Sequence, residues 1–388
     1  MNARAPMTSI TLRRLSLGLM GAWLAATAGE ASAQAAQAAT APTAPSAPAT
    51  ATLSPPPQGG TQEGPSLGPR YSFVVLGHLR GDAKGPNAKL PEVVAEVRKL
   101  HPAFIVLTGD AIWGDIDAKA IDPASLHRQW DYIDSSLATV GVPVYRVPGN
   151  HDISDLVSRD VYRQRYGLPP QSVTMGDARL LLLSSSWIPA DGDTRRMPYT
   201  RTTDLDAMHK RWLTGELEKP GFAHTFVFMH HLLWWEADST AWWKELHPAL
   251  ARAHVNAVFS GDYGPLKFST MTRDGVQYFQ SSIEDNVSTG IQRMRLASRI
   301  LSSQFDNYLE VHVDGPAVDV EVHTVAEVSS GQFTPQRYAI VNEPLPPPPL
   351  WNRLMQHVGR KRLAAAAAGV VLLFLFGILL GRASGRRD

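Results

Sequence analysis

Two stretches, Phe104-Ile105-Val106-Leu107-Thr108-Gly109-Asp110 and Val142-Pro143-Val144-Tyr145-Arg146-Val147-Pro148-Gly149-Asn150-His151-Asp152, share one design. Each is a short apolar run, rich in β-branched residues, that ends at a glycine followed by side chains able to hold a cation or move a proton. Such a run lacks helical period and is bounded by turn residues, so it reads as a buried strand with a turn at its end. Polar residues just past strand ends are where an open α/β sheet assembles a site.

The same design extends in both directions. Apolar bursts predict strands over 72–76, 104–107, 142–147, 179–184, 225–229 and 257–259. Segments of helical period lie between them at 90–100, 123–139, 203–217 and 239–253, and strands return at 276–280, 308–313 and 317–322. No internal repeat is visible. Alternating strands and helices followed by a run of strands predict an α/β fold with a second sheet packed on the first. Three further loops follow strands: Gly77-His78-Leu79-Arg80-Gly81-Asp82, His230-His231 and Gly261-Asp262-Tyr263-Gly264. Each loop alone is weak, since Gly-Asp is a common turn and His-His before Leu232-Leu233 fits packing. Their joint order carries the reading.

The ends of the 388-residue chain have a different character. Residues 1–33 carry Arg4, Arg13 and Arg14, an apolar run from Leu15 to Ala26, and Ala31-Ser32-Ala33, the pattern of a signal peptide. The Arg13-Arg14 pair suits the twin-arginine route and ordinary signals alike. Residues 34–68, nearly all Ala, Pro, Thr, Ser, Gln and Gly, read as a disordered linker that cannot bury enough apolar surface to offset its ordering. A folded domain is expected over 69–330 and a proline-rich stalk over 331–362. Residues 363–381 form a charge-free run about 28 Å long as a helix, enough to cross a bilayer core. Arginines flank that run on both sides, so the export signal, rather than charge bias, orients it. The expected arrangement is a domain on the extracytoplasmic, periplasmic side of the cytoplasmic membrane and an arginine-rich tail, 382–388, in the cytoplasm.

Composition narrows the chemistry. Lys plus Arg number 37 against 36 Asp plus Glu, so no basic field favours nucleic acid as a partner. There is no cysteine, which excludes disulfides, thiolate metal sites and cysteine nucleophiles. Any metal must rest on oxygen or imidazole donors.

The segments 105–110 and 147–152, with the three other loops, make the region from Tyr71 to Val322 resemble the calcineurin-like metallophosphoesterase family. The resemblance implies an αββα sandwich of two sheets. It also implies two metal ions held at strand ends by Asp-x-His, Gly-Asp-x-x-Asp, Gly-Asn-His-Asp/Glu, a lone His and Gly-His-x-His. Transferred to this chain, it makes Asp110 the bridging carboxylate, Asn150 and His230 ligands of the second ion, and His151 a general acid or phosphate contact. Oxygen and imidazole donors suit Mn, Fe or Zn, which polarise a phosphate and generate hydroxide from water. Asp152, His231 and Asp82 fall behind the ligands as supporting residues.

Departures from the pattern are as informative. His78 and Arg80 stand where the family has Asp-x-His, Asp262 and Gly264 where it has Gly-His-x-His, and Trp113 in place of the second Asp of Gly-Asp-x-x-Asp, with Asp115 nearby. Of the first ion's usual ligands only Asp110 is intact, and His78 is the remaining candidate. Asp110, Asn150, His230 and Asp262 all remain competent for the second ion. One ion is therefore expected. Arg80 either supplies fixed positive charge to a phosphate or pairs with Asp82 or Asp110 inside a dead site. The expected function is metal-dependent hydrolysis of phosphomono- or diesters, with a phosphorylated small molecule or envelope component as partner. The alternative is an inactive binding or scaffold protein of the envelope. Trp234, Trp235, Trp242 and Trp243 flank the His230 loop, as a stacking wall for substrate or, the reading preferred, as core.

Overall fold

The computed structural model describes residues 58–186, 204–236, 238, 240–262, 267–283, 301–303, 305–325 and 337–340. In chain order these form β1 (Thr61–Glu63), β2 (Arg70–Leu76), α1 (Leu90–Leu100), β3 (Ile105–Leu107), α2 (Pro123–Ala138), β4 (Val144–Arg146) and α3 (Leu156–Tyr166). There follow β5 (Gln171–Met175), β6 (Ala178–Leu182), α4 (Ala207–Leu217), β7 (His224–Phe228), a 3-10 turn at Leu233–Trp235, a π-helical turn at Trp242–Leu246 and α5 (His247–Arg252). The chain continues with β8 (Ala257–Ser260), β9 (Phe268–Arg273), β10 (Val276–Gln280), β11 (Leu301–Ser303), β12 (Asn307–Asp314), β13 (Ala317–Thr324) and β14 (Arg337–Ile340).

The strands make two mixed sheets, ordered β1-β5-β6-β7-β8-β10-β9-β11 and β14-β13-β12-β2-β3-β4. They pack face to face. Phe73 and Phe104 from one sheet join Phe226, Phe228 and Phe259 from the other in a buried cluster, with Phe73 stacked on Phe104 at 4.6 Å and edge-on to Phe226 at 5.2 Å. Truncating one such ring costs about 3–5 kcal/mol. Helices cover the outer faces. Leu90, Val93, Val94 and Val97 form the buried stripe of α1, and with α2 and α3 they close one sheet; the Trp234–Leu250 region closes the other. Sheet twist and packing thus give the αββα layering expected from the sequence.

Register positions the site. Leu76, Leu107 and Arg146 are neighbours across the parallel strands β2, β3 and β4, and Leu182, Phe228 and Phe259 across β6, β7 and β8. The loops after these strands therefore leave each sheet at one common edge.

The ordered sheets reach past the expected domain bounds. Thr61–Glu63, within the segment read as linker, pairs with β5, and Arg337–Ile340, within the segment read as stalk, pairs with β13. Both are edge strands of a few residues; β1 is held by backbone pairing, and β14 also buries Ile340 and packs Tyr338 against Phe268 and Phe279. Helix α4 starts at Ala207 because the Asp206 side chain caps it, accepting from the His209 N–H. No helix among the described residues is long and apolar enough to cross a membrane. The expected signal peptide, the run 363–381 and the arginine tail lie outside those residues.

Candidate metal centre

Asp110 and His78 both hold left-handed backbone conformations, with φ of 52° and 53°. Few non-glycine residues do so, and those that do gather at functional sites. Glycines let the loops meet around them. A Cβ on Gly149 would lie 2.1 Å from Asp110 Oδ1, and one on Gly109 would lie 2.5 Å from His230 Nδ1. The glycines of the two decisive stretches are there because another loop occupies the space a side chain would need.

The buried Asp110 carboxylate divides the centre. Its Oδ1 lies 3.4 Å from His230 Nε2 and accepts the His151 backbone N–H at 2.9 Å. Its Oδ2 faces His78 Nε2 at 3.4 Å, Arg80 Nε at 3.8 Å and His151 Nε2 at 4.0 Å. On the first side, His230 Nε2 also lies 3.2 Å from Asn150 Oδ1 and 3.5 Å from Asp262 Oδ1. His230 Nδ1 donates to the Thr108 carbonyl at 2.9 Å, which leaves Nε2 to face these oxygens. The loop carrying Asp262 is fixed because its backbone N–H and that of Gly261 both donate to the His230 carbonyl, at 2.8 and 3.1 Å.

His230 Nε2 faces an oxygen of each of Asp110, Asn150 and Asp262 at 3.2–3.5 Å, about the separation of two donors bound at about 2.0–2.2 Å to one ion. At this centre, the donors whose ligand atoms all lie within 4.8 Å of one another are those of His230, His231 and Asp262. Charge agrees. Burial by itself would lower His230, yet the Asp110 carboxylate and Asp262 more than offset it and push it up to about 9. Burial would raise Asp110, and the charges of His230 and His151 hold it well below the carboxylate range. A protonated His230 thus supplies the positive charge that a metal ion would otherwise provide. Burial lowers His78 to about 4, so it is neutral, the form that can ligate.

Arg80 stands on the other side of the carboxylate. Its backbone N–H donates to the Asp110 carbonyl at 2.8 Å, its guanidinium donates to the Gly81 carbonyl at 3.0 Å, and it lies over the Trp113 ring at 5.0 Å. Trp113 also packs 5.0 Å from the His151 ring, and its carbonyl accepts from His151 Nδ1 at 2.8 Å. Asp152 ties the loops together, accepting the N–H groups of Ala111 and Ile112 on one oxygen at 2.9 and 3.2 Å and of Gly149 on the other at 2.8 Å. Burial and the charge of Asp110 push Asp152 up to about 7, against these three donors.

Asp110, Asn150, His151, His230, Asp262, His78 and Arg80, singled out in the sequence, all converge. His231 lies closer than expected. Its Nδ1 is fixed by the Ser185 hydroxyl at 2.9 Å, and it offers a ligand atom within 4.8 Å of those of His230 and Asp262. Asp82 sits in a surface turn, accepting the Lys84 N–H at 2.7 Å, and Asp115 accepts from Gln129 on α2 at 2.8 Å. Gly264 lies outside the described residues. Trp234, Trp242 and Trp243 are buried in the outer core, so the stacking-wall reading is set aside for them. Trp113 is the site's aromatic, and sequence reasoning saw it only as a missing aspartate.

Residues 76–263 match the calcineurin-like phosphoesterase family. The matched residues take in the loops that carry Asp110, Asn150, His230 and Asp262. Among curated relatives, mouse serine/threonine-protein phosphatase CPPED1 is 27% identical over 203 residues, 47% of this chain and 61% of its own length. The chain thus spans less than two thirds of that relative. Among solved structures, a dimetal phosphatase from Danio rerio aligns at 14% identity with a TM-score of 0.45, over 71% of this chain and all of that one. Purple acid phosphatase from yellow lupin aligns at 9% identity with a TM-score of 0.47, over 72% and 54%. In the matched region, oxygen and imidazole donors gather on the His230 side of Asp110, and a guanidinium stands on the His78 side.

Proposed function

We propose that the domain is a metal-dependent phosphoester hydrolase that works with a single divalent ion and a fixed guanidinium. The observation carrying this reading is the division of Asp110, one oxygen toward His230 and its oxygen donors, the other toward Arg80. Asp110, Asn150, His230 and Asp262 would hold the ion, with His231 or His78 available to complete its coordination. Bound there, Mn, Fe or Zn supplies Lewis acidity and lowers the pKa of a coordinated water.

This chain's own residues do the rest. Arg80 presents a planar, cationic fork to phosphate oxygens, so it stabilises charge that builds on the transferred group. Trp113 lies against the guanidinium, its ring centroid 5.0 Å away, in a cation–π contact that helps hold it in place. The Trp113 carbonyl occupies His151 Nδ1, which makes Nε2 the atom that exchanges a proton with the leaving oxygen. Burial lowers the His151 pKa, and a bound phosphate dianion would raise it again, matching protonation to substrate binding. A cavity of about 340 Å³ beside Trp113, lined in part by Lys84, Arg128 and Tyr132, offers room for the non-phosphate part of a substrate.

The sequence signals at both ends extend the proposal: an exported domain held on the extracytoplasmic face by the run 363–381, acting on a phosphorylated small molecule or envelope component. A second reading, a phosphoesterase fold kept for binding alone, is favoured by one observation, the cation Arg80 beside the bridging carboxylate. Hydrolysis of a panel of phosphomono- and diesters by the Mn-loaded protein separates the two. Activity abolished by Asp110→Ala and cut at least a hundredfold by His151→Ala supports the enzyme; no turnover with Mn, Fe or Zn establishes the binding reading.

A further inference from the structure

A second group of histidines and carboxylates lies on a different part of the fold. On β12 and β13, Leu309, Val311, Val313, Val318, Val320 and Val322 point into the core between the sheets. Strand alternation therefore sends Glu310, His312, Glu321 and His323 to the opposite face. Glu310 and Glu321 are direct cross-strand partners. On β2, Glu310 faces Val74 and His312 faces Ser72, whereas the phosphoesterase centre is built from loops beyond Leu76.

One donor atom each from Glu310, Glu321 and His323 falls within 4.8 Å of the others. His323 Nε2 is 3.2 Å from Glu310 Oε2, and His312 Nε2 is 3.6 Å from Glu310 Oε2 and 3.6 Å from Glu321 Oε2. The edge of a tetrahedron of oxygen and nitrogen ligands around zinc is about 3.3 Å, so these separations are those of ligands sharing an ion. His312 Nε2 is shielded from solvent and makes no hydrogen bond among the described residues, although two carboxylates from different strands stand equally far from it. An ion pair would close on one of them. A cation between them would satisfy both.

Neighbouring side chains hold the donors in place, as groups behind metal ligands do. Tyr308 stacks on the His323 ring, centroids 4.9 Å apart and planes 4° from parallel. Arg337 on β14 donates to Glu321 Oε2 through Nε at 2.7 Å and reaches the same oxygen through Nη2 at 2.5 Å, which holds that carboxylate in place. Arg337 also lies 3.7 Å from Asp319, the remaining carboxylate of this face on β13. Glu310 is buried and accepts hydrogen bonds from His323 and Ser72.

We propose that Glu310, Glu321 and His323, completed by His312, form a second, structural metal site of the zinc class that pins β12 to β13. Mixed imidazole and carboxylate donors favour zinc over calcium or magnesium. Cross-linking two strands of the sheet that carries β2 would stabilise the fold without touching the phosphoesterase centre.

Zinc binding to the full chain carrying Asp110→Ala, which disables the first centre, tests this by equilibrium dialysis. About one zinc per chain is expected to remain, and adding His312→Ala with His323→Ala should weaken it at least tenfold while hydrolysis by the double histidine variant of the otherwise unaltered protein is unchanged. Retained affinity after loss of both histidines, or no zinc on the Asp110→Ala protein, overturns the proposal. Should the histidine variant not fold, anomalous scattering at the zinc edge from crystals of the Asp110→Ala chain decides. A peak among Glu310, Glu321 and His323 supports the site, and none there refutes it.

Discussion

Arg80 Nε lies 3.8 Å from Asp110 Oδ2, on the oxygen of that carboxylate which His230 does not face. A guanidinium there balances the carboxylate much as an ion would, but it can neither exchange ligands nor activate water. The centre is thus asymmetric, with replaceable charge on one side of Asp110 and permanent charge on the other.

Replacing Arg80 by Ala should leave Mn content unchanged and lower kcat/KM by about 10²–10³, the usual loss when one preorganised charge donor is removed. Arg80→Lys should recover only part, because an ammonium cannot offer the planar fork. Conversely, His78→Asp with Arg80→His recreates the Asp-x-His donors and should raise bound Mn from one ion to two. Kinetics and metal analysis on the same preparations check all three variants.

Metal affinity should climb with pH. The raised His230 pKa, about 9 without metal, means that an entering ion must displace a proton across most of the usable range. Apparent affinity for Mn is expected to increase about tenfold per pH unit below 9 and to level off above it. Calorimetry in buffers of different ionisation enthalpy should count close to one proton released per ion at neutral pH.

Much of this arrangement was legible before any coordinates. The strands at 72–76, 104–107 and 225–229 are largely apolar because they are buried between layers, and burial of that kind is written directly in side-chain type. Strand β9 was not foreseen, since Ser269, Thr270 and Thr272 satisfy their hydroxyls by pairing with Gln280 and Gln277 of β10 inside the sheet. Those pairs hide a strand behind a polar sequence. Helix α3 escaped for a related reason, because its capping box between Asp155 and Ser158 starts a helix that buries only Ser158, Val161 and Tyr162. At the site, ligand types could be read from the Gly-Asp and Gly-Asn-His-Asp loops. Trp113 and Ser185 could not, because both act through contacts that sequence spacing does not encode.

Asp152 accepts three buried backbone N–H groups from the two loops that carry Asp110 and Asn150. Asp152→Ala would leave those donors without an acceptor and should cost about 3 kcal/mol of stability, together with metal affinity. Asp152→Asn retains an acceptor and should cost less. Denaturant titration of the two variants, read with Mn binding, separates stability from loop placement.

The Asp206 cap gives an acid-sensitive contribution. Burial would raise Asp206, but hydrogen bonds from the His209 ring and backbone outweigh that and lower it to about 2, from an ordinary 3.8. A carboxylate depressed in the folded state stabilises fully above its unfolded value, and the contribution fades as pH falls through the folded one. Discounted for the partial solvent exposure of this group, Asp206→Ala should cost about 1 kcal/mol at neutral pH. The difference from the unaltered protein should shrink between pH 4 and pH 2, as thermal melts across that range would record.

The location of bound manganese, found by anomalous scattering from crystals of the protein grown with Mn, tests the account most directly. One peak enclosed by Asp110, Asn150, His230 and Asp262, with Arg80 still beside Asp110, is the predicted result. A second peak between His78 and Asp110, or no peak among the four residues, would contradict it.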